Sequence, residues 1–434
     1  MIASGPLRVA IVGAGPAGSA LAILLARRGA AVTLFDDDRR PTLLVGESLV
    51  PAVIPILQGL GIEHEAAGFS RVKPGVSFIW SPTDRYRFTF ARFAPGVFPY
   101  AYNIPRPQFD DALTAHALTM GVTRVGARAR VEPSRAGERE LTLSEDTLAA
   151  APSLEGRQPD LIVDATGRAR LAARALGIQA DVGPRSDVAH FAHFENFRWD
   201  EDEPEGQVLI GRGEAGWSWC IPLKDRLSVG IVLSPDAAVR LGRSPDERLG
   251  NAIATDPWLE SIAADAARVT PVATYANYQL ISRRGAGPGW VAVGDAFGFV
   301  DPMLSPGVFL SLRSAELVAE ALAPVLQRQA PASPAALAAR FRPYIASHRA
   351  ALSAWMSLVE RFYDGRMLAL MRAGHEWMGN GSGRLKHAMQ DHIERHIALQ
   401  ASGAATTALY SRALLGVLGR YGLRGVEPAE MAIR

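Results

Sequence analysis

Three sets of residues in this chain have types and spacings that could do chemistry. The first is a glycine set, Gly13-Ala14-Gly15-Pro16-Ala17-Gly18, set between the apolar runs Val9 to Val12 and Ala20 to Leu25. In a strand-turn-helix unit such residues cradle a dinucleotide. Gly13 permits the tight turn, Gly15 lets backbone approach a pyrophosphate beside Ala17, and Gly18 lets the helix pack closely on the strand. A second apolar run, Ala31 to Phe35, ends on Asp36, about 20 residues on, where a carboxylate can accept hydrogen bonds from an adenosine ribose. The bland alternative is an ordinary glycine-rich turn, and it accounts for neither flank.

The second set is polar and borders predicted helices. Glu47 and Ser48, in Gly46-Glu47-Ser48-Leu49-Val50-Pro51, stand just before a helical pattern ending at Leu60. An N-cap with a first-turn acid is the ordinary reading of such a pair. Arg106 precedes a helix predicted over Asp110 to Met120. It could hold a cofactor phosphate or ribose, or merely pair with Asp110 or Asp111. Asp295 closes an apolar strand, Trp290 to Val293, that rejoins the nucleotide fold, and a helix from Val308 to Ala323 follows Gly307 with its positive end forward.

The third set could face a substrate. Lys73 lies on a segment stiffened by Pro74 and turned by Gly75, just before the alternation Val76, Phe78, Trp80. A lone lysine is usually solvated. Trp217 and Trp219 share one face of a strand and Cys220 the other. Packing is the commoner use of such a pair.

The elements that position these residues follow from periodicity. Parallel-sheet strands are expected at Val9 to Val12, Ala31 to Phe35, Asp160 to Asp164 and Trp290 to Val293, and a strand pair over Val122 to Thr147. Short aromatic runs from Tyr86 to Tyr102 suit a sheet over a flat ligand. From Asp187 to Ser282 the pattern is mostly antiparallel sheet, with one helical stretch at Pro245 to Ala267. A Pro/Ala/Ser linker at Ala330 to Ala336 leads to a largely helical end whose aromatic cluster, Trp355, Phe362, Tyr363 and Trp377, is expected to lid the substrate side.

Composition narrows the function classes. With 434 residues, 48% hydrophobic, 21% charged and a net charge of +2, the chain reads as an ordinary globular protein with no nucleic-acid or acidic-membrane surface. One cysteine excludes an internal disulfide framework and a cysteine-rich metal site, and no metal is expected. No apolar run reaches the ~18 residues of a membrane span, and the first strand starts too early for a signal peptide. A cytoplasmic location is therefore expected.

The motifs GAGPAG, Gly46-Glu47-Ser48 with Pro51, Arg106-Pro107-Gln108-Phe109-Asp110, Asp164-Ala165-Thr166-Gly167-Arg168 and GDAFGFVDP from Gly294 to Pro302 resemble, in this order, the flavoprotein monooxygenase superfamily. Within it the chain is most similar to the FAD-dependent halogenases of phenol and pyrrole type. The closer likeness rests on Gly46-Glu47-Ser48, on Lys73 in its F-x-x-x-K-x-G-x-x-F-x-W setting, on Trp217-x-Trp219-x-Ile221-Pro222, and on Asp301-Pro302 followed by Ser305-Pro306-Gly307-Val308. Position 304 is Leu, where the resembling tryptophan halogenases carry glutamate.

The resemblance implies an α/β fold: a glutathione-reductase-type, Rossmann-like FAD-binding domain with an inserted, mostly antiparallel substrate-binding sheet and a helical C-terminal region. The expected segments are 1–186 (FAD-binding, with part of the substrate layer), 187–282 (substrate sheet), 283–329 (returning FAD segment) and 330–434 (linker and helices). FAD would be held by Gly13, Gly15, Ala17, Gly18, Asp36, Glu47, Ser48, Arg106, Asp295, Pro302, Gly307 and Val308. FADH2, O2 and halide would yield hypohalous acid, which Lys73 holds against an electron-rich aromatic substrate, free or tethered to a carrier protein. Trp217 and Trp219 would keep that substrate from the flavin. With a single dinucleotide cradle, FADH2 is expected from a separate flavin reductase.

One departure bears on the halide. The resembling turns place two backbone N–H groups on the anion, here at Pro306 and Gly307, and proline has none. Losing one charge-assisted donor weakens the anion by ~1 to 3 kcal/mol, roughly ten- to a hundredfold. The alternative expectation is an FAD-dependent monooxygenase, or a geranylgeranyl-reductase-like saturase or dehydrogenase, on the same scaffold.

Overall fold

The computed structural model describes residues 5–433, except 82–83, 136, 214–215, 329–332, 380–383 and 424–426. The expected linker residues 330–332 therefore lie outside the described residues, as does the side chain of Trp377.

Apolar runs that are too short for helices and flanked by turn residues become the parallel sheet. Its strand order is Ala286–Gly287, Trp290–Ala292, Leu161–Asp164, Arg8–Val12, Ala31–Phe35, Thr123–Val125. All neighbours are parallel except the first pair. The helix Pro16–Ala26 and the long helix Gly307–Arg328 pack against one another beside this sheet. The crevice at the carboxyl ends of parallel strands is where such sheets bind ligands.

A second, nine-stranded sheet is mostly antiparallel. It draws in strands from far outside 187–282: Gly75–Ile79 pairs in parallel with Val208–Gly211, and Gly298–Phe299 closes the other edge. Its two faces bury separate cores. Trp217, Trp219 and Ile221 face the large core shared with the nucleotide fold, while Cys220, Leu227, Val229 and Ile231 face a smaller core under three short helices. A helical end, with six helices among the described residues from Pro334–Arg340 to Pro428–Met431, completes the fold.

Several local expectations change. The helix expected over Pro245 to Ala267 is two helices, Pro245–Thr255 and Pro257–Ala263, because Pro257 offers no N–H and the Asp256 carboxylate caps the new start through the Trp258 amide at 3.0 Å. The strand pair expected over Val122 to Thr147 splits into a parallel-sheet strand and a separate hairpin, Val131–Pro133 with Leu141–Leu143. Helix Arg106–Thr119 starts at Arg106, four residues before its expected start.

Candidate active site

The cradle is built from three glycines that work differently. Gly13 has φ +105°, and a Cβ there would lie 2.4 Å from the Ala165 carbonyl oxygen of the neighbouring strand. A Cβ on Gly18 would sit 1.9 Å from the Gly13 oxygen, so this glycine lets helix and turn touch. Gly15 meets nothing within 4 Å. Its open side faces a cavity of about 700 Å³, within the ~300 to 1,000 Å³ usual for cofactor sites.

Of the predicted residues, Gly13, Gly15, Ala17, Asp36, Glu47, Ser48, Arg106, Trp217, Trp219, Asp295, Pro302, Gly307 and Val308 all border this cavity. Gly18, Lys73 and Pro306 do not. The extended floor, the open glycine turn at the helix N-terminus and the acid at the second strand end fit FAD in shape and donor chemistry.

The charges around the cavity are mostly paired. Asp36 accepts from Arg40 and Arg124, each at 3.1 Å. Arg106 forks onto Asp110 through two 3.1 Å contacts and also donates to the Val45 carbonyl, so its pairing alternative is realised at the cavity wall. Asp295 is enclosed, and burial pushes its carboxyl up to about 6 despite the opposing Arg168 and Arg106 charges.

Glu47 and Ser48 do not cap a helix. The next helix, Val53–Leu60, has Ala52 at its N-cap. The buried Glu47 carboxylate instead meets His193 Nε2 at 2.7 Å, and Ser48 Oγ accepts from Lys73 Nζ at 2.8 Å.

Lys73 is 2% exposed. Its ammonium also donates to the Leu49 carbonyl at 3.0 Å and lies 5.5 Å from the centre of the Phe90 ring. Burial lowers its pKa to about 7. It borders a separate chamber of about 50 Å³ lined by Phe78, Phe88, Phe90, Phe93, Phe362 and Met371 among others. The aromatic run expected to cover a flat ligand thus supplies walls to the Lys73 chamber. Val208, Ile210, Leu304 and Ser305 border both this chamber and the large cavity. Leu304 and Ser305 adopt φ +68° and +59°, an uncommon state for non-glycine residues that the surrounding contacts must enforce.

The tryptophan rings lie 5.7 Å apart. Trp219 donates to Ser228 at 3.2 Å, and Gly230 leaves room for its ring, since a Cβ there would be 2.2 Å away. Trp217 donates to the Tyr363 hydroxyl at 2.8 Å, and Tyr363 donates to the Asp301 carboxylate at 2.9 Å. Asp301 in turn accepts from the Met303 amide at 2.8 Å. Tyr363 is therefore not a lid: it is a buried tie between the tryptophan strand and the turn before helix Gly307–Arg328.

In that turn the Leu310 amide donates to the Pro306 carbonyl at 2.9 Å. The unsatisfied first-turn donors of the helix are thus those of Gly307, Val308 and Phe309. Gly307 has nothing within 4 Å of its Cβ position.

A sequence profile described as an FAD binding domain matches residues 6–339. A tryptophan 2-halogenase from Chondromyces crocatus is 31% identical over 369 residues, covering 82% of this chain and 68% of that protein. The chain belongs to the flavin-dependent halogenase family. It is an FAD-dependent oxidoreductase with the fold class expected above. A 1H-pyrrole-2-carbonyl-[peptidyl-carrier protein] brominase from Pseudoalteromonas luteoviolacea is 28% identical over 324 residues, 72% of this chain and 76% of that one. Among solved structures, the myxobacterial chondrochloren halogenase CndH is 26% identical with a TM-score of 0.72, covering 99% of this chain and 100% of that one. The chain spans 68% and 63% of the lengths of the first two relatives. No helix among its described residues is long and apolar enough to cross a membrane.

Two pairings in the site had no signal in the sequence. His193 sits 146 residues from Glu47, and Tyr363 146 residues from Trp217. Only the pairing of strands and helices brings them together.

Proposed function

We propose that this protein halogenates an electron-rich aromatic of phenol or pyrrole type, using FADH2, O2 and halide, with Lys73 holding the oxidised halogen. The observation that carries this reading is the buried Lys73 ammonium, lowered to about 7, in a small apolar chamber that meets the cofactor cavity at Leu304 and Ser305. Reduced FAD, when bound, would supply the two electrons and two protons by which O2, a halide and one further proton become water and hypohalous acid. Gly13, Gly15, Ala17 and Gly18 form the dinucleotide cradle, and Asp36, Arg106 and Asp295 bind along its length.

The chain's own residues do the rest. The Gly307 and Val308 amides, at the positive end of the helix, hold the halide in place of the donor that Pro306 cannot supply. Trp217 and Trp219, fixed through Tyr363 and Ser228, keep the aromatic substrate away from the flavin. Lys73 donates a hydrogen bond to hypohalous acid when charged, or takes the halogen on nitrogen when neutral. The substrate then exchanges a ring proton for the halogen and water leaves.

Relatives whose names specify tryptophan and a carrier-bound pyrrole support either a free or a carrier-tethered substrate. The chamber of about 50 Å³ is smaller than the ~150 Å³ cavity that holds benzene. A ring enters only as the C-terminal wall of Phe362, Met371 and Ile397 yields. A separate flavin reductase supplies FADH2, and NADH alone is expected to leave the bound flavin oxidised.

Pro306 favours one second reading, a monooxygenase without halide. The deciding experiment supplies a flavin reductase and a panel of phenols and pyrroles, titrates chloride and bromide, and reads product masses. Halogenated product is expected, with Pro306→Ser lowering the half-saturating halide by roughly ten- to a hundredfold. Hydroxylated product at every halide concentration, from both proteins, establishes the monooxygenase.

A further inference from the structure

We propose that the buried His193–Glu47 pair delivers the one further proton that hypohalous-acid formation consumes, with Glu47 as donor at the flavin cavity and His193 as the positioning residue behind it. The inference rests on the halogenation reading and adds a proton source to it.

The two side chains stand in series. Glu47 borders the flavin cavity, His193 does not, and His193 Nε2 meets Glu47 Oε1 at 2.7 Å. Two bare acceptors would repel at that distance, which is the length of a charge-assisted hydrogen bond, so a proton lies between them. The backbone of His193 is held, its amide donating to Thr270 Oγ1 at 2.9 Å. The other ring nitrogen, Nδ1, is buried with no hydrogen-bond partner among the described residues. Buried histidine nitrogens are ordinarily bonded. Here no second bond fixes the tautomer, so the ring can keep a proton on Nδ1 while Nε2 trades one with the carboxylate.

The neighbours of Glu47 in the chain place it. A Cβ on Gly46 would lie 3.5 Å from the Val308 side chain, at the helix end that holds the halide on the reading above. Ser48 accepts from Lys73. Glu47 therefore stands between the site where hypohalous acid forms and the lysine that receives it. Arg106 and Arg226 act on Glu47, Asp225 acts on His193, and the Tyr275 hydroxyl is the other titratable neighbour of Glu47. Arg226 is itself paired with Asp225 at 2.6 Å. Each member of the pair has an opposite charge nearby, so separated charge can be held in a buried place. Asp295, the other enclosed acid on this cavity, has no hydrogen-bonded histidine among the described residues.

The step balances as follows. The proton on Nε2 passes to Glu47 Oε1, and the Glu47 carboxyl gives a proton to the O2-derived oxygen that leaves as water. Glu47 returns to carboxylate, His193 is left neutral with its proton on Nδ1, and one solvent proton reloads the pair in each turnover.

The test has two arms. In FAD-free protein, nitrogen NMR of His193 through a pH titration should show Nε2 held protonated while Nδ1 gains and loses a proton; in Glu47→Gln the neutral ring should show both tautomers. With FAD and a flavin reductase, Glu47→Gln and His193→Gln should each slow halogenation about a hundredfold near neutral pH, the scale of a lost general acid. The ratio of variant to wild-type rate should fall further as pH rises, by up to about tenfold per unit, because the proton then comes from solvent. Glu47→Asp, which keeps a carboxyl, should give a ratio independent of pH. A mere structural clip would lower the rate by one factor at every pH. Thermal midpoints of the FAD-free variants separate loss of the proton from loss of the fold, and the wild-type ring titration decides even where a variant does not fold. A pH-independent ratio for both glutamine variants, with wild-type halogenation intact, overturns the proposal and leaves the halogenation reading standing. A His193 ring that never changes protonation, or a slope that follows Asp295→Asn and not Glu47→Gln, overturns it equally. If the wild type forms no halogenated product at any pH, the reading fails and the proposal with it.

Discussion

The two cavities that meet at Leu304 and Ser305 are made of different materials. The flavin cavity is shaped by backbone at its cradle end: Gly15, Gly167 and Gly307 each leave open space where a side chain would stand, and parallel strand ends supply the floor. The Lys73 chamber is shaped by side chains, a ring of phenylalanines with Met371 and one amine, drawn from sheet and C-terminal helices alike. A backbone-built site tolerates change at its surroundings but not at its glycines. A chamber walled by side chains can be re-cut for another substrate without touching the cradle.

The largest expected effect separates the two cavities outright. Lys73→Ala should lower halogenation by about a hundredfold or more, the scale of a lost proton-handling group. FAD content and oxygen consumption should stay near wild type, because Lys73 does not border the flavin cavity. Product yield per oxygen consumed is the measurement, and retained halogenation would return Lys73 to a packing role.

Within the cradle, Gly15→Val and Gly18→Val should fail differently. Position 15 has free space, so the variant should fold normally yet bind FAD more than tenfold more weakly in a flavin fluorescence titration. At position 18 the new Cβ would meet backbone at 1.9 Å, and the loss should appear as a lower thermal midpoint even without FAD. Equal behaviour of the two would contradict the division of labour.

The tie between the regions should cost less to cut. Tyr363→Phe leaves the Trp217 N–H and the Asp301 carboxylate without their shared partner, which should destabilise the protein by about 1 to 3 kcal/mol in chemical denaturation. An unchanged midpoint would show that the tie contributes nothing.

The smallest effect is one of pH. Lys73 is lowered to about 7 when folded, against 10.5 as an ordinary lysine. Below pH 7 both states are protonated and the burial penalty is full. Between these values the unfolded chain binds the extra proton, so stability should rise with pH. Relative to Lys73→Met, the wild type should gain about 1 kcal/mol from pH 7 to pH 8. No difference in slope would mean the amine is solvated in solution.

Much of the site's first half was determined by sequence alone, because its rules are local. The turn at Gly13 requires positive φ, strand and helix announce themselves by period within a few residues, and Asp36 follows at a fixed distance. The Lys73 motif and the tryptophan spacing likewise identified the residues that border the two cavities. What they touch was decided by tertiary structure. Ser48 turned from a possible helix cap into the acceptor for Lys73 because strand Arg71–Lys73 pairs with Ala101–Asn103 beside it. Tyr363 became a tie to Asp301, and His193 the partner of Glu47, across separations that no local period encodes. Burial then lowered the Lys73 pKa, since desolvation depends on every wall of the chamber at once and those walls come from both ends of the chain.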